Sequence, residues 1–349
     1  MSILGRLTQG GAARPAPGTL REFLEKEVAA DKGPFTLAGR AALIEPIELI
    51  DRIIRAGIKD ATITVLKGTQ IGFSTFAAAL AIYLCAARRL STGFFFPDDG
   101  MAEQMSDTRI RTTLRNPKLT EAMKDAEYKG VAAKGLKEFP GPDGSRFLYV
   151  LGLHDVRNAT SIPLDVALND EVDDIKPENL KWSMDRLDAS ALSLTLNLGA
   201  GRTPGAGIHG RYLDGSQRVW RVPCPGCGAE WALEENWPGV LREEEGRPFL
   251  ACPACAHPLG PETGRYVPAF PEAEEERKHW SFRIPQLIVP AVRLERVAAK
   301  WRAARTPRER ATFSCSSLAL PDAGDMQPIT DDLLRRLREA EPYHMEVVA

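Results

Sequence analysis

The chain has 349 residues, of which 44% are hydrophobic and 26% are charged, and its formal net charge is −2. This length is enough for one large hydrophobic core, or two modest ones with a small accessory module. The charge balance excludes a generally basic nucleic-acid binder, so any contact with DNA must be local. The longest apolar stretch, residues 76–87, is too short for a membrane span, and the N-terminus lacks the apolar segment of a signal peptide. We therefore expect a cytoplasmic protein with no membrane partner.

Residues 1–33 begin with Gly, Ala and Pro and continue into a charged helical segment, so we expect a partly disordered N-terminal arm. Residues 35–57 predict a loop and a helix that packs before the first core strand. Arg40 in this segment is a candidate contact for a nucleotide base, although a packing helix is the simpler interpretation.

The next segment predicts a strand, a small-residue turn and a helix. Residues 62–66 form a β-branched, apolar run, residues 67–72 contain two glycines, and residues 76–87 are rich in Ala and Leu. Ser74 and Thr75 are favourable N-terminal residues for the helix. This order directs backbone N–H groups and the positive end of a helix dipole to one point, which attracts phosphate.

The turn departs from the standard phosphate-loop pattern G-x-x-x-x-G-K-[ST], because Phe73 stands where the lysine is expected. Spacing alone is therefore also compatible with an ordinary strand-to-helix turn. Lys67, at the first position of the turn, has a long flexible stem that can reach back over the phosphates and supply the missing charge. Ser74 would then offer its hydroxyl to Mg²⁺.

Residues 93–97 and 101–115 predict a second strand and helix, which favours a doubly wound core. The basic residues of this helix and of the segment to position 137 are explained more simply by a solvated surface than by a DNA-tracking face.

An apolar run at residues 164–169 ends in two adjacent acids, Asp170 and Glu171. A nucleotide hydrolase needs one acid to hold Mg²⁺ through its waters and another to orient and deprotonate the attacking water. Together with the candidate loop 103 residues earlier (170 − 67), the acids favour an ATPase. Another core strand, at 192–198, precedes a glycine-rich loop at 199–207.

Four of the six cysteines form two C-P-x-C knuckles that are separated by 24 residues (252 − 227 − 1). They are Cys224, Cys227, Cys252 and Cys255. Four thiolates at two tight turns suit tetrahedral Zn²⁺ with no open position, and so predict a structural zinc ribbon. The alternatives are a redox pair, or a ribbon that has lost its metal.

These elements predict an α/β fold of the P-loop (ASCE, RecA-like) type, a doubly wound, mostly parallel sheet with an inserted four-cysteine zinc ribbon. The expected organisation is an N-terminal arm at 1–33, a P-loop ATPase core at 34–221, the zinc-ribbon insertion at 222–270, a return strand and helix of the ATPase domain at 271–325, and a linker at 326–349.

In their order along the chain, the pieces resemble the large terminase subunits of tailed bacteriophages, in the group related to the lambda packaging ATPase. The matching segments are residues 65–75, 159–165, 170–173, 185–190, 204–208 and 212–220, which run directly into the zinc ribbon. The resemblance covers roughly residues 60 to 290.

The resemblance implies an ATP-driven motor that threads double-stranded viral DNA into a procapsid as a homo-oligomeric ring. Its implied partners are double-stranded DNA, the portal protein and the small terminase subunit, and its cofactors are ATP and Mg²⁺ besides Zn²⁺. In this resemblance Lys67 is the variant loop lysine, Ser74 and Asp170 hold Mg²⁺, and Glu171 is the catalytic carboxylate. Arg186 is a candidate phosphate-sensing or trans-acting arginine. The implied nucleotide contacts in the loop are Lys67, Gly68, Thr69, Gln70, Gly72, Phe73, Ser74 and Thr75.

Two departures from the family pattern bear on activity. Thr69 stands where this group usually carries arginine, and the loop at 199–201, in the place of a coupling motif, lacks hydroxyl and amide side chains. Slow or partner-dependent hydrolysis is the expected result. The nuclease part of such proteins is expected after Ala349, so we predict no DNA cleavage by this chain.

Two other functions are compatible with the same residues. A helicase-like DNA-dependent ATPase shares the loop and the acid pair, but its later motifs would need a second RecA-like domain. A non-catalytic zinc-ribbon scaffold with a degenerate nucleotide site is suggested by Phe73 and Thr69.

Overall fold

A computed structural model describes residues 18–30, 33–114, 135–155, 157, 162–324, 334–335 and 338–339. The basic residues between 115 and 134 and almost all of the predicted linker at 326–349 lie outside these ranges.

The strands are β1 (Ala29–Ala30), β2 (Gly33–Pro34), β3 (Ala61–Lys67), β4 (Thr92–Phe96), β5 (Leu136–Phe139), β6 (Arg146–Gly152), β7 (Val166–Asn169), β8 (Leu194–Gly199), β9 (Val219–Pro223), β10 (Glu230–Trp231), β11 (Leu241–Glu244), β12 (Arg247–Leu250), β13 (Arg265–Val267) and β14 (His279–Ile284). The α-helices are Leu20–Glu27, Ile44–Ala56, Phe73–Ala86, Asp99–Met105, Arg111–Leu114, Pro177–Met184, Gly207–Asp214, Glu272–Glu276, Leu294–Ala303 and Pro307–Phe313. Short 3₁₀ turns lie at Ala41–Leu43, Val172–Asp174, Asp185–Leu187, Pro261–Thr263 and Gln286–Ile288, and π-helical turns at Ser106–Ile110 and Ser314–Leu318.

Seven strands form the central sheet, in the order β14-β3-β8-β7-β4-β6-β5. All neighbours are parallel except β5, which pairs with β6 in an antiparallel hairpin. Strands β4, β7 and β8 are buried at every position, as expected of parallel strands covered on both faces. The predicted α/β fold with a mostly parallel sheet is confirmed.

Alternate side chains of the strands point to the two faces, and each face has its own helices. Ile63 and Val65 belong to the core that includes helices Ile44–Ala56 and Phe73–Ala86. Leu66 faces the other way, into a smaller core built with helices Pro177–Met184 and Gly207–Asp214. The helix that follows the candidate phosphate loop is buried along most of its length, which positions the loop on the sheet.

Part of the predicted N-terminal arm belongs to the packed core. Helix Leu20–Glu27 begins with a capping box at Thr19 and buries Leu20, Phe23 and Leu24 completely. The Tyr83 hydroxyl, on the helix after the phosphate loop, donates to the carbonyl of Gly18 at 3.0 Å. Of the charged residues of this short helix, Glu25 and Lys26 are exposed and Arg21 and Glu22 are partly exposed, whereas Glu27 is buried.

The four-cysteine segment lies between β8 and β14 in the chain. Strand β9 pairs with β10 and β13, and β11 and β12 form a separate hairpin. One aromatic contact joins this segment to the central sheet, because Tyr266 on β13 packs edge-on against Phe282 on β14, as well as against Trp220 on β9, with both centroid distances at 4.9 Å. Trp237, in the insert between the knuckles, packs against Trp301 and Phe313.

Candidate nucleotide site and four-cysteine cluster

The candidate phosphate loop joins β3 to helix Phe73–Ala86. Gln70 and Gly72 have positive φ angles of 59° and 92°, so the backbone turns tightly between strand and helix. A side chain at position 72 would be strained, and its Cβ would approach the Arg40 guanidinium to 3.3 Å. Arg40 therefore lies beside the loop, while its Nη1 donates to backbone carbonyls of its own segment.

Lys67 and the acid pair meet at the carboxyl edge of the sheet. The Lys67 amine lies 3.2 Å from Oε1 of Glu171 and 3.5 Å from Oδ1 of Asp170. The side chains of Lys67 and Asp170 are buried, whereas that of Glu171 is 28% exposed. The predicted loop lysine and the two predicted carboxylates therefore form one cluster.

Burial and charge act in opposite directions within this cluster. Burial disfavours the charge of Lys67, but the carboxylates of Asp170 and Glu171 outweigh it and raise the pKa of the amine. Burial raises the pKa of Asp170, and the positive charge of Lys67 opposes that change. The lysine stays charged because it has two acidic partners.

The acidic turn is held in an uncommon backbone conformation. Glu171 has φ 53°, in the left-handed region that few non-glycine residues occupy. Its N–H donates to the Asp170 carboxylate at 3.1 Å, and the Asp170 N–H donates to the carbonyl of Phe95 on β4. This bend directs both carboxylates toward Lys67.

The strands that carry the two halves of the cluster are not direct neighbours, because β8 lies between β3 and β7. The loop after β8 therefore begins between the two halves of the cluster. Asp173 accepts hydrogen bonds from the N–H groups of Gly201 at 2.9 Å and Ile208 at 3.0 Å. Burial raises the pKa of Asp173.

The other predicted loop residues have different surroundings. Phe73 is buried and packs edge-on against Phe76, with centroids 5.0 Å apart, so its side chain belongs to the core. The N–H of Thr69 donates to the carbonyl of Ser316 at 2.7 Å, and Gln286 Nε2 donates to the carbonyl of Thr69 at 2.7 Å. Gly68 is bound through its N–H to the carbonyl of Ile284 at 2.8 Å. Ser74 and Thr75 lie in the first turn of the following helix, as predicted.

Arg186 does not join the cluster. Its carbonyl accepts a hydrogen bond from Leu164, which precedes β7, whereas Asp170 follows β7. Six residues of extended chain separate these two ends by roughly 20 Å. The guanidinium lies over the ring of Trp182, 5.5 Å from its centroid. Arg186 thus lies away from Lys67, Asp170 and Glu171 in this structure, and its role as a phosphate-sensing or trans-acting arginine stays a prediction.

The structure explains the polar residue before the acid pair. Asn169 Nδ2 donates to Oδ1 of Asn197 on β8 at 3.0 Å, and its own Oδ1 accepts from Ser183 at 3.2 Å. All three side chains are fully buried. A matching asparagine in each of two adjacent apolar strands was the sequence signal for this contact, which fixes β7 against β8 directly behind the acids.

The four predicted zinc ligands lie together. All four Sγ atoms fall within 4.8 Å of one another, with Cys224 and Cys255 at 3.5 Å and Cys227 and Cys252 at 3.7 Å. Sulfur atoms about 3.8 Å apart are what a tetrahedral site with Zn–S bonds of about 2.3 Å requires. The donor set therefore fits a closed Zn²⁺ site.

Solved structures with a similar fold are phage terminases. The crystal structure of the bacteriophage HK97 large terminase aligns with a TM-score of 0.53 at 10% identity, over 86% of this chain and 54% of that one. This chain thus spans about half the length of that protein. The large terminase ATPase domain of Thermus phage P74-26 and a point mutant of it align with TM-scores of 0.43 and 0.45, at 14% and 15% identity, over 77% and 78% of this chain and 92% of theirs.

No curated protein sequence matches this chain. Within the part of the chain that the structure describes, no helix has the length and apolar character needed to cross a bilayer. A family model for the phage terminase large subunit gpA, ATPase domain, matches residues 46–265, which is 220 of 349 residues (265 − 46 + 1). The matched range includes the candidate phosphate loop, the acid pair and the four cysteines. The chain therefore belongs to the phage terminase large subunit family, of which it carries the gpA-type ATPase domain.

Proposed function

We propose that this chain hydrolyses ATP to drive the packaging of double-stranded viral DNA. The observation that carries the proposal is the cluster of Lys67, Asp170 and Glu171 at the carboxyl edge of a parallel sheet, beside a glycine turn and a helix N-terminus. This edge is where open α/β sheets bind their ligands.

In the proposed binding mode, the loop N–H groups and the Lys67 amine contact the phosphates of ATP. Ser74 and Asp170 would hold Mg²⁺, which neutralises phosphate charge when it is bound. Phe73 takes no part in binding through its side chain, which is packed against Phe76.

Glu171 is the proposed general base, which accepts a proton from the water that attacks the terminal phosphate. Its Oε1 is hydrogen-bonded to Lys67 in this structure. A triphosphate competes for the same amine, because phosphate oxygens are strong acceptors for a lysine. Binding thus draws Lys67 away and frees the Glu171 carboxylate, so that the base becomes available only when substrate is present.

The hydrogen bonds of Thr69 favour slow hydrolysis without a partner. Its N–H and its carbonyl are both engaged by protein groups, Ser316 and Gln286, so this residue offers no free backbone donor to phosphate. We propose that the portal protein, the small terminase subunit or duplex DNA stimulates turnover in an assembled homo-oligomeric ring.

The second proposed ligand is a structural Zn²⁺ held by Cys224, Cys227, Cys252 and Cys255. A site closed by four thiolates leaves no position for substrate, so its role is to hold the knuckles in place.

The test is ATP hydrolysis by the full chain, with and without duplex DNA and partner proteins. Glu171→Gln is expected to lower kcat by roughly 10²- to 10⁴-fold while nucleotide binding persists, because only the proton acceptor is lost. Glu262→Gln, at an exposed position within the cysteine segment, is the matched control and leaves kcat unchanged.

The engaged Thr69 and the buried Phe73 also suit a non-catalytic scaffold with a degenerate site. If the wild-type chain neither binds nor hydrolyses ATP with its partners present, the scaffold function is correct and the motor proposal fails.

A further inference from the structure

The loop after β8 carries an arginine to which the sequence motifs assigned no role. Arg202 forms a two-pronged ion pair with Asp174, in which Nη1 lies 2.7 Å from Oδ1 and Nη2 lies 2.7 Å from Oδ2. The two side chains are 61% and 38% exposed. An ion pair that is this exposed contributes little to stability. The fold therefore does not require the pair.

The loop places this arginine beside the phosphate loop. Gly199, the last residue of β8, pairs with Leu66, the residue before Lys67. Gly201 has φ 73°, and a Cβ there would lie 2.4 Å from Cδ1 of Leu66, so the loop packs closely on the side chain of the residue that precedes Lys67. Arg202 comes next in the chain.

The arginine also interacts with the acids of the candidate site. Burial lowers the pKa of Arg202. The hydrogen bond and the charge of Asp174 outweigh this effect, together with the charges of Asp173 and Glu171, so the pKa of Arg202 is raised. The guanidinium therefore lies within electrostatic range of the proposed general base.

A count of charges indicates that the nucleotide site needs another cation. Lys67 carries one positive charge and faces two carboxylates, Asp170 and Glu171. Thr69 and Phe73 add no charge at the positions where arginine and lysine would be expected. ATP with one bound Mg²⁺ brings about two further negative charges, so Lys67 alone leaves the complex strongly negative.

We propose that Arg202 contacts the terminal phosphate of the bound nucleotide, and that Asp174 holds its guanidinium while the site is empty. This inference rests on the proposed nucleotide-binding function. Arginine suits the role because its planar fork binds carboxylate and phosphate with the same two-pronged geometry. Asp173 keeps the backbone at Gly201 and Ile208 fixed, so only the Arg202 side chain has to change partner.

The proposal predicts opposite effects for the two members of the ion pair. Arg202→Ala removes a phosphate contact and weakens binding of the triphosphate. Asp174→Asn removes the competing partner and strengthens it. If the pair served only to hold the loop in place, breaking it from either side would change binding in the same direction.

The experiment measures Kd by titration calorimetry on the full chain, in Mg²⁺, for ADP and for an ATP analogue with a non-hydrolysable β,γ-imido bridge. Arg202→Ala is expected to raise Kd for the analogue about 10- to 100-fold, the range for a hydrogen bond to a charged group, and to leave Kd for ADP within about twofold. Arg202→Lys keeps the charge but loses the two-pronged geometry. Its Kd for the analogue should lie between those of Arg202→Ala and wild type. Asp174→Asn lowers Kd for the analogue.

The matched control is the pair Arg265 and Glu230, which has 66% and 38% exposure and lies in the cysteine segment. Arg265→Ala and Glu230→Gln should leave both Kd values unchanged, and thermal unfolding checks that every variant is folded. Equal losses for ADP and the analogue, or changes in the same direction for Arg202→Ala and Asp174→Asn, overturn the inference. If wild type binds neither nucleotide, the proposed function itself is wrong and the inference with it. If wild type binds both and Arg202→Ala changes neither Kd, only the inference is wrong.

Discussion

The candidate nucleotide site and the four-cysteine cluster are assembled in different ways. Lys67 and Glu171 are 104 positions apart in the sequence, and their side chains meet at 3.2 Å only because of the strand order of the sheet. The cysteines come from two short knuckles, each of which brings its pair together within one turn. In a site built from local turns, the turns themselves set the positions of the ligands. In a site built at strand ends, the packing of the whole core sets the positions of the side chains.

The two regions also differ in what keeps their charges in place. Lys67 and Asp170 are buried charged groups, and Glu171 holds a left-handed backbone, so packing must impose an arrangement that is unfavourable by itself. The thiolates of a zinc ribbon repel one another and are held by the metal instead. Three further predictions test this difference, and they are ordered from the largest expected effect.

Removal of zinc should affect the cysteine segment alone. Metal binding in structural zinc sites contributes on the order of 10 kcal/mol to folding of the module. We therefore expect Cys252→Ser, or treatment with a chelator, to abolish amide protection across residues 222–267 in hydrogen exchange, while β3, β7 and β8 stay protected. Elemental analysis should give about one zinc per chain for wild type. Cys315→Ser, at a cysteine outside the cluster, is the control and keeps the metal; loss of sheet protection in Cys252→Ser would show that the two regions are not separate.

A buried ion pair connects the central sheet to the cysteine segment. Arg283 on β14 donates to Glu234 of the cysteine segment at 2.8 Å, and the Glu234 side chain is fully buried. Arg283→Met leaves that carboxylate without its partner, which should lower the free energy of unfolding by about 3–5 kcal/mol in denaturant titration.

Two variants decide whether this loss comes from the unpaired charge. The double variant Arg283→Met/Glu234→Leu should recover most of the stability, because it removes both buried charges and leaves only the 40% exposed Glu235 without its Arg283 partner. Arg302→Met breaks an exposed pair with Glu243 and should cost less than about 1 kcal/mol. A similar loss in both single variants would mean that burial of the pair is unimportant.

The smallest expected effect is a pH dependence of the free energy of unfolding, which arises in the central sheet and not in the cysteine segment. Burial lowers the pKa of His279 from 6.5 to about 4, and its Nε2 lies 2.9 Å from the Thr64 hydroxyl. Between these two values the unfolded chain binds a proton that the folded chain does not, so stability rises with pH across this window and is fully present above pH 6.5. A shift of this size corresponds to about 3 kcal/mol.

Denaturant titration between pH 4 and 7 measures this contribution. His279→Gln should flatten the pH dependence by about that amount, whereas His154→Asn, at a half-exposed histidine, should keep the wild-type slope. An unchanged slope in His279→Gln would assign the pH dependence to other groups.

The sequence predicted those elements and site residues that are marked by a local pattern. The strand, turn and helix around Lys67, the apolar run before Asp170 and the cysteine knuckles each carry a recognisable pattern. The contact of Asn169 with Asn197 has no such local pattern, since the pairing of these two residues is defined by strand register. Arg202 had no local signal, because its role is inferred from its ion pair with Asp174, which lies 28 positions earlier in the sequence.

The same limit applies to the hydrogen bonds around Thr69. Its partners Gln286 and Ser316 are 217 and 247 positions away, and no sequence pattern connects residues at such separations. Arg186 is near the acids in sequence but lies at the opposite end of β7 in space, which also follows from the strand and not from a local pattern.

The carbonyl of Ser316 has a mechanical consequence. It accepts both the N–H and the hydroxyl of Thr69, at 2.7 Å and 3.2 Å, and it belongs to the π-helical turn that ends at Leu318. A displacement of the polypeptide after this turn would be transmitted to the glycine bend without passing through the sheet. The C-terminal segment and the glycine bend are therefore linked by two parallel hydrogen bonds to a single carbonyl.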